Sequence, residues 1–303
     1  MKFIKTLALI SISIISCQKA IEIDRDIVQP KLVINCVLSP FEDTVKLSLT
    51  ESRDLLYDKN TFPVVSDATI ELFENDIKIG ELALFGEIYI LPYTVKPGAK
   101  YAIKASSDGF VDVDAETTVS APFSNLDFNI EMLENNGWNA ELIIEDAKNE
   151  DNFFEVRFMY GYFTEDTAII NSQFYYPPWM NGYFCTNDYI IEHPQSELLS
   201  SSNCAGSFLF SDKTFKNSNH TLRMFVEPNS NSFFEPGEGY KTRAVIEYSS
   251  YNYDYFTYSV TKSIYLNNQG NPFAEPVSVY SNITNGYGIF GSASVHSDTL
   301  IFE

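Results

Sequence analysis

The feature that most restricts what this chain can fold into is alternation of apolar and polar residues with a period of two. Leu32, Ile34, Cys36 and Leu38 lie on one side of a short segment, and Val33, Asn35 and Val37 lie on the other. Val45-Lys46-Leu47-Ser48-Leu49-Thr50 repeats the pattern. Ala68–Glu74 and Ile77–Leu84 flank Asn75-Asp76, a dipeptide suited to a hairpin turn. Tyr101–Ala105 and Val111–Val119 follow, separated by Ser106-Ser107-Asp108-Gly109. Such a series of short strands predicts a β-sandwich over residues 28–120. Cys36, on the apolar side of its strand, is expected to be a buried, unreactive thiol.

Within that region, Pro97-Gly98 marks a turn and Tyr101 opens the next strand. A tyrosine there can bury its ring and bond its hydroxyl to upstream backbone, as in the tyrosine corner of sandwich folds. The layout resembles an immunoglobulin- or transthyretin-like sandwich, ending at Ala121-Pro122.

Residues 121–303 read as a larger β-rich domain. Its strands are longer: Trp138–Glu145, Asn152–Phe163, Thr221–Glu227 and Tyr240–Tyr248. One amphipathic helix is expected at about 251–267, with Ser249-Ser250 as its cap and Asp254 in its first turn. Tyr253, Phe256, Val260 and Ile264 form an apolar stripe, and Tyr251, Tyr255, Tyr258 and Tyr265 form a second one beside it. Two aromatic stripes imply packing on both sides, against core on one and a loop or partner on the other. The fold class expected is thus mainly β, with two sandwich domains and one helix. The 24 Phe and 19 Tyr among 303 residues suit strands better than helices.

The N-terminus is an address. Met1–Lys5 carries positive charge, and Thr6–Ile15 is an apolar core far shorter than the roughly 20 residues of a membrane-spanning helix. Ile14-Ile15-Ser16-Cys17 resembles the bacterial lipobox, which assigns residues 1–16 to a signal peptide and makes Cys17 the acylated residue that enters the bilayer. Residues 17–27 then form an anchor linker. Gln18-Lys19 followed by Glu22, Asp24 and Asp26 resembles the export signal of surface lipoproteins in Gram-negative bacteria, although Ala20-Ile21 delays the acids. The expected location is the outer membrane, facing the exterior.

Cys185 and Cys204 lie in one polar segment, and in an exported protein such a pair predicts a disulfide. Closing that loop would stabilise the fold by roughly 3 kcal/mol in the chain-entropy account. Just before it, "QFYYPPWMNGYF" crowds Tyr175, Tyr176, Trp179, Tyr183 and Phe184 around prolines and a glycine. Two readings stand for these rings: a loop surface for a peptide, glycan or protein partner, or a cap on the sandwich core.

Several functions are disfavoured. With 41 Asp+Glu against 20 Lys+Arg, the surface repels phosphate backbones, which argues against nucleic-acid binding. The cysteines show no zinc-type spacing, and Asp146–Asn152 lacks the glycine and distal glutamate of an EF-hand, so it reads as a solvated turn rather than a calcium loop. His193, His220 and His296 have no HExxH-like neighbours, and GxSxG, P-loop and GxGxxG motifs are missing from the sequence. The chain therefore reads as non-enzymatic, without cofactor, metal site or catalytic residues. A hydrolase working through acidic residues is a weaker alternative.

"QGNPFAEPVSVYSNITNGYGIFGSASV", spanning Gln269–Val295, together with the lipobox and the early "PKLVINCVLS", resembles the domain of unknown function 4249 family. The resemblance implies a surface lipoprotein encoded beside a TonB-dependent outer-membrane transporter, and hence an accessory subunit for ligand capture or docking in nutrient uptake. It brings no catalytic residues. A structural or adhesive surface protein without a soluble ligand is the alternative.

Overall fold

A computed structural model of the chain describes residues 29–53, 62–122, 126–132, 138–145, 151–163, 180–181, 184–188, 204–226, 241–269, 271 and 273–302. The alternating segments become β1 (Leu32–Leu38), β2 (Thr44–Glu51), β3 (Thr69–Glu74), β4 (Ile77–Glu81), β5 (Ala83–Phe85), β6 (Ile88–Pro92), β7 (Lys100–Ser106) and β8 (Val113–Thr118). The second half supplies β9 (Leu126–Met132), β10 (Trp138–Ile144), β11 (Phe153–Phe163), β12 (Met180–Asn181), β13 (Phe184–Cys185), β14 (Cys204–Ala205), β15 (Ser207–Ser211), β16 (His220–Val226) and β17 (Lys241–Tyr251). Helix α1 (Tyr253–Asn268) and β18 (Tyr287–Phe302) close the chain. The protein is mainly β, with sheets packed face to face.

In the first sandwich the sheet β5-β6-β2-β1-β18 faces the sheet β4-β3-β7-β8. Between them lie the inward side chains that alternation assigns, among them Ile34, Leu49, Ile70, Leu72, Ile103 and Phe290, all essentially without solvent exposure. The expected Ile77–Leu84 strand is in fact two. Leu82 turns into the core and its N–H donates to Ile70 O, so the chain passes from one sheet to the other at that residue. Asn75 and Asp76, with φ of 48° and 67°, form the tight hairpin turn before β4.

In the second sandwich the sheet of β15 and β12 on β11, then β17 and β18, faces β14-β13-β16-β10-β9. Its core includes Leu142, Val156, Phe158, Phe208, Phe210 and Leu222.

Strand β18 belongs to both sandwiches. Tyr287–Ser292 pairs parallel with β1, and Ala293–Phe302 pairs antiparallel with β17. At 16 residues it spans roughly 50 Å. Ile283 and Phe290, from the C-terminal end of the chain, lie in the core of the first sandwich. The close approach to β1 needs glycine. Gly288 has φ +105°, and a Cβ there would collide with the carbonyl oxygen of Ile34; a Cβ on Gly291 would lie 2.7 Å from Cβ of Tyr255.

A serine and an asparagine lock the junction. The Ser120 N–H donates to Ser292 Oγ (2.8 Å), its hydroxyl donates to Ser250 O (3.0 Å), and its carbonyl accepts from Ser294 Oγ (3.1 Å). Asn252 Oδ1 accepts from the N–H groups of Tyr255 (3.2 Å) and Ser292 (3.0 Å), while its Nδ2 donates to Thr117 Oγ1 (2.6 Å). Asn252 is thus the helix cap in place of Ser249-Ser250, which are buried in β17. The helix cannot begin earlier because β17 is laddered to β11 and β18 as far as Tyr251. Of the expected apolar stripe, Phe256 is buried against Phe153, whereas Tyr253 is exposed.

Tyr101 forms the corner that its position suggested. Its ring is fully buried, and its hydroxyl accepts from Lys96 N–H (2.9 Å) and donates to Glu74 Oε2 (2.7 Å). Lys96, Tyr93 and Tyr101 together hold the Glu74 carboxyl at a pKa of about 2, below the ordinary 4.5.

Two outcomes follow from these contacts. Gly288→Ala should lower stability by at least about 3 kcal/mol, whereas Gly109→Ala, at φ +86° with open space around it, should cost on the order of 1 kcal/mol. Equal losses in denaturant titrations would show that the β1–β18 approach tolerates a side chain. The Glu74 contribution to stability is fully present above about pH 4.5 and disappears as pH falls toward 2, because the folded carboxyl is the stronger acid. Glu74→Gln should therefore lose stability relative to wild type above pH 4.5 and converge with it near pH 2; parallel curves across that window would exclude this role.

Candidate functional site

The outward side chains of β1 and β2 form the floor of a cleft of about 660 Å³. Asn35 and Ser48 stand directly opposite each other there, as do Val33 and Thr50. Period-two geometry places them outside because Leu32, Ile34, Leu47 and Leu49 face the core. Ile88 and Glu87 bound the cleft near the β5–β6 turn, and Tyr287, beside Val33 in the β1–β18 ladder, bounds the opposite side. The exposed ring of Phe62 completes one end, with the Arg53 guanidinium stacked on it at 3.7 Å.

The remaining wall comes from α1 and the segment leading into β18. Tyr258 stacks on Tyr255 (6.3 Å between centroids), which meets the Tyr251 ring edge-on at 4.7 Å. The second tyrosine stripe thus runs from the core at Tyr251 into the cleft at Tyr258, and Tyr265 lies beyond it. Tyr280 is fixed by two bonds: its hydroxyl donates to Asp254 Oδ1 (2.6 Å), and its N–H donates to Thr261 Oγ1 (2.9 Å). Burial and the Asp254 carboxylate both push the Tyr280 phenol above its ordinary pKa, so the ring presents a neutral face. Behind this wall, the buried Glu155 accepts the Tyr251 hydroxyl and pairs with Arg157 at 3.2 Å. Burial, then Glu155, raises the Tyr251 pKa. Neutral polar groups below and ordered rings on the sides can bind a ligand that has both apolar faces and hydrogen-bonding groups.

A second concavity of about 700 Å³ lies at the domain junction. Its walls include Ser120 and Asn252, whose polar groups hold the two sandwiches together, and Asp151, which is paired with Lys216. The first cleft has the better chemistry for a ligand.

The residues singled out from sequence fare differently. Cys17 and the rings of Tyr175, Tyr176, Trp179 and Tyr183 lie outside the described residues. Phe184 takes the second of the two readings, packing in the sandwich core: it is 2% exposed and meets Phe208 edge-on at 4.7 Å and Phe158 at 6.2 Å. The β13–β14 register sets Cys185 opposite Cys204. Cys36 is a free, buried thiol, pushed up to a pKa of about 12 by burial. His220 Nε2 lies 2.9 Å from Asp188 Oδ2 with its ring stacked on Phe215. His296 packs between Phe41 and Tyr248. Of the Asp146–Asn152 turn, residues 146–150 lie outside the described residues, and Asn152 is bonded to buried Asp212. Among the described residues, no group of three or more His, Cys, Asp or Glu could hold a metal ion.

Tyr258, Tyr280 and Tyr287 were visible in the sequence, but nothing in it joined them into one site. The uneven helix was the available signal, because a stripe of tyrosines beside an apolar stripe exceeds what one core face needs.

Comparison with curated proteins gives no match. Among solved structures, a beta-glycosidase from Bacteroides vulgatus is 13% identical, with a TM-score of 0.20 over 74% of this chain and 23% of that one. Chitinase ChiA74 from Bacillus thuringiensis is 11% identical, with a TM-score of 0.18 over 66% of this chain and 27% of that one. The chain spans about a quarter of the length of these structures, and likeness at that level carries no functional argument. The family described as "Domain of unknown function (DUF4249)" matches residues 19–299, nearly the whole sequence after the N-terminal segment. The chain belongs to the domain of unknown function 4249 family.

Proposed function

We propose that this chain is an outer-membrane lipoprotein, anchored through Cys17 and facing the cell exterior, that serves a TonB-dependent uptake system as a non-enzymatic accessory subunit. The observation that carries the reading is the aromatic cleft: its rings are held by their own contacts, and no nucleophile or base of a recognised catalytic arrangement stands among the residues that line it. The lipobox-like Ile14–Cys17 supports the anchor. Residues 17–27, the linker expected from the sequence, could reach at most about 40 Å when fully extended. Lys31, just beyond it, lies over the Tyr287 ring at 5.2 Å, so the tether enters the fold beside the cleft. An anchored protein would then hold this face within a short distance of the outer membrane and of a transporter embedded there.

Two finer readings accompany this one. The Tyr101 corner supports an immunoglobulin- or transthyretin-like first sandwich acting as a rigid platform. The register of Cys185 and Cys204 supports a disulfide between them, as expected for an exported protein.

Protease added to intact cells should remove the protein, and a transporter should accompany it stoichiometrically from gently solubilised membranes. Surface exposure with repeated absence of a transporter would leave the structural or adhesive reading; full protection from protease would place the protein on the periplasmic side. Non-reducing peptide mapping should recover Cys185 and Cys204 in one linked pair, and two alkylatable thiols at those positions would remove the disulfide.

A further inference from the structure

We infer that the cleft takes a neutral oligosaccharide, an inference that rests on the ligand-capture reading above. The floor strands β1 and β2 are interior strands, flanked by β18 and β6. Their backbone N–H and C=O groups are committed to ladders, so an extended peptide finds no edge to pair with there. What the floor offers instead is the side-chain amide of Asn35 and the hydroxyl of Ser48, adjacent across the ladder. These groups donate and accept without charge, as sugar hydroxyls require.

The charge balance favours a neutral ligand. The carboxylate of Glu87 lines the cleft, and Arg53, Lys31 and Lys262 stand over the rings of Phe62, Tyr287 and Tyr258 at its rim. The whole chain carries a formal charge of -21, so the long-range field opposes an anionic ligand even where a rim cation stands near. Tyr258, Tyr280 and Tyr287 offer ring surface to the C–H faces of pyranose units, with the conformations of the first two set in advance by Tyr255 and by Asp254. Rings already fixed lose little freedom on binding, which favours a ligand whose individual contacts are weak. A volume of about 660 Å³ suits a short oligosaccharide segment.

Isothermal titration of the full-length protein in mild detergent tests this with cellohexaose, maltohexaose, laminarihexaose and mannohexaose as probes. Hexagalacturonate and hexa-alanine serve as the anionic and peptide comparisons. At least one neutral hexaose should bind, and the two comparisons should not. Tyr258→Ala should weaken that binding about tenfold and Tyr258→Phe should preserve it. Tyr265→Ala, on the same helix but outside the cleft, should leave it unchanged. Failure of every neutral hexaose to bind, or binding insensitive to Tyr258→Ala in a protein with wild-type melting, overturns the inference. Binding of hexa-alanine alone also overturns it while leaving ligand capture standing. Sugar binding without a co-purifying transporter upholds the ligand class and removes only the transporter partnership.

Discussion

The rest of the structure depends on one strand being shared between two sandwiches. β18 enters the first sheet parallel to β1, where it supplies Phe290 to the first core, and leaves as the antiparallel neighbour of β17. A strand can serve two sheets only if its backbone approaches its partners without obstruction, and Gly288 and Gly291 provide that at the β1 contact and under α1. Ser120, Asn252, Ser292 and Ser294 then satisfy the polar groups buried where the two sandwiches meet. The result is a junction held by ladder hydrogen bonds and short side chains.

The candidate site is a consequence of this arrangement. Because β18 brings Tyr287 beside Val33, and because the helix before it folds back over the sheet, tyrosines from the last fifth of the chain face polar residues from the first fifth. The helix packs Phe256 against Phe153 on one side and carries Tyr258 to the cleft on the other. The same element therefore contributes to the core and to the wall of the cleft, which accounts for its two aromatic stripes.

Much of the fold was legible locally. Alternation identified the inward residues of β1, β2, β3 and β7, the Asn75-Asp76 turn, and Tyr101 as a buried corner residue. The misreadings have physical causes. Ile77–Leu84 looked continuous because an inward leucine at position 82 fits strand periodicity as well as it fits a crossing between sheets. Ser249-Ser250 looked like a cap because serine favours helix starts, but ladder pairing on both sides of β17 outweighs that preference. For Phe184 two readings stayed open, because a list of rings does not say which of them reach the core.

The sequence by itself determined the strand-rich character, the faces of the strands, the helix and the resemblance to the family. These rest on local chemistry: side-chain period, turn propensity and short motifs. Only the tertiary structure decided that β18 pairs with β1, that the two domains share it, and that Asn35, Ser48, Tyr258 and Tyr287 bound one cleft. Periodicity states which way a side chain points but not which strand will lie beside it. That choice is made by the joint packing of both cores, between residues at opposite ends of the chain.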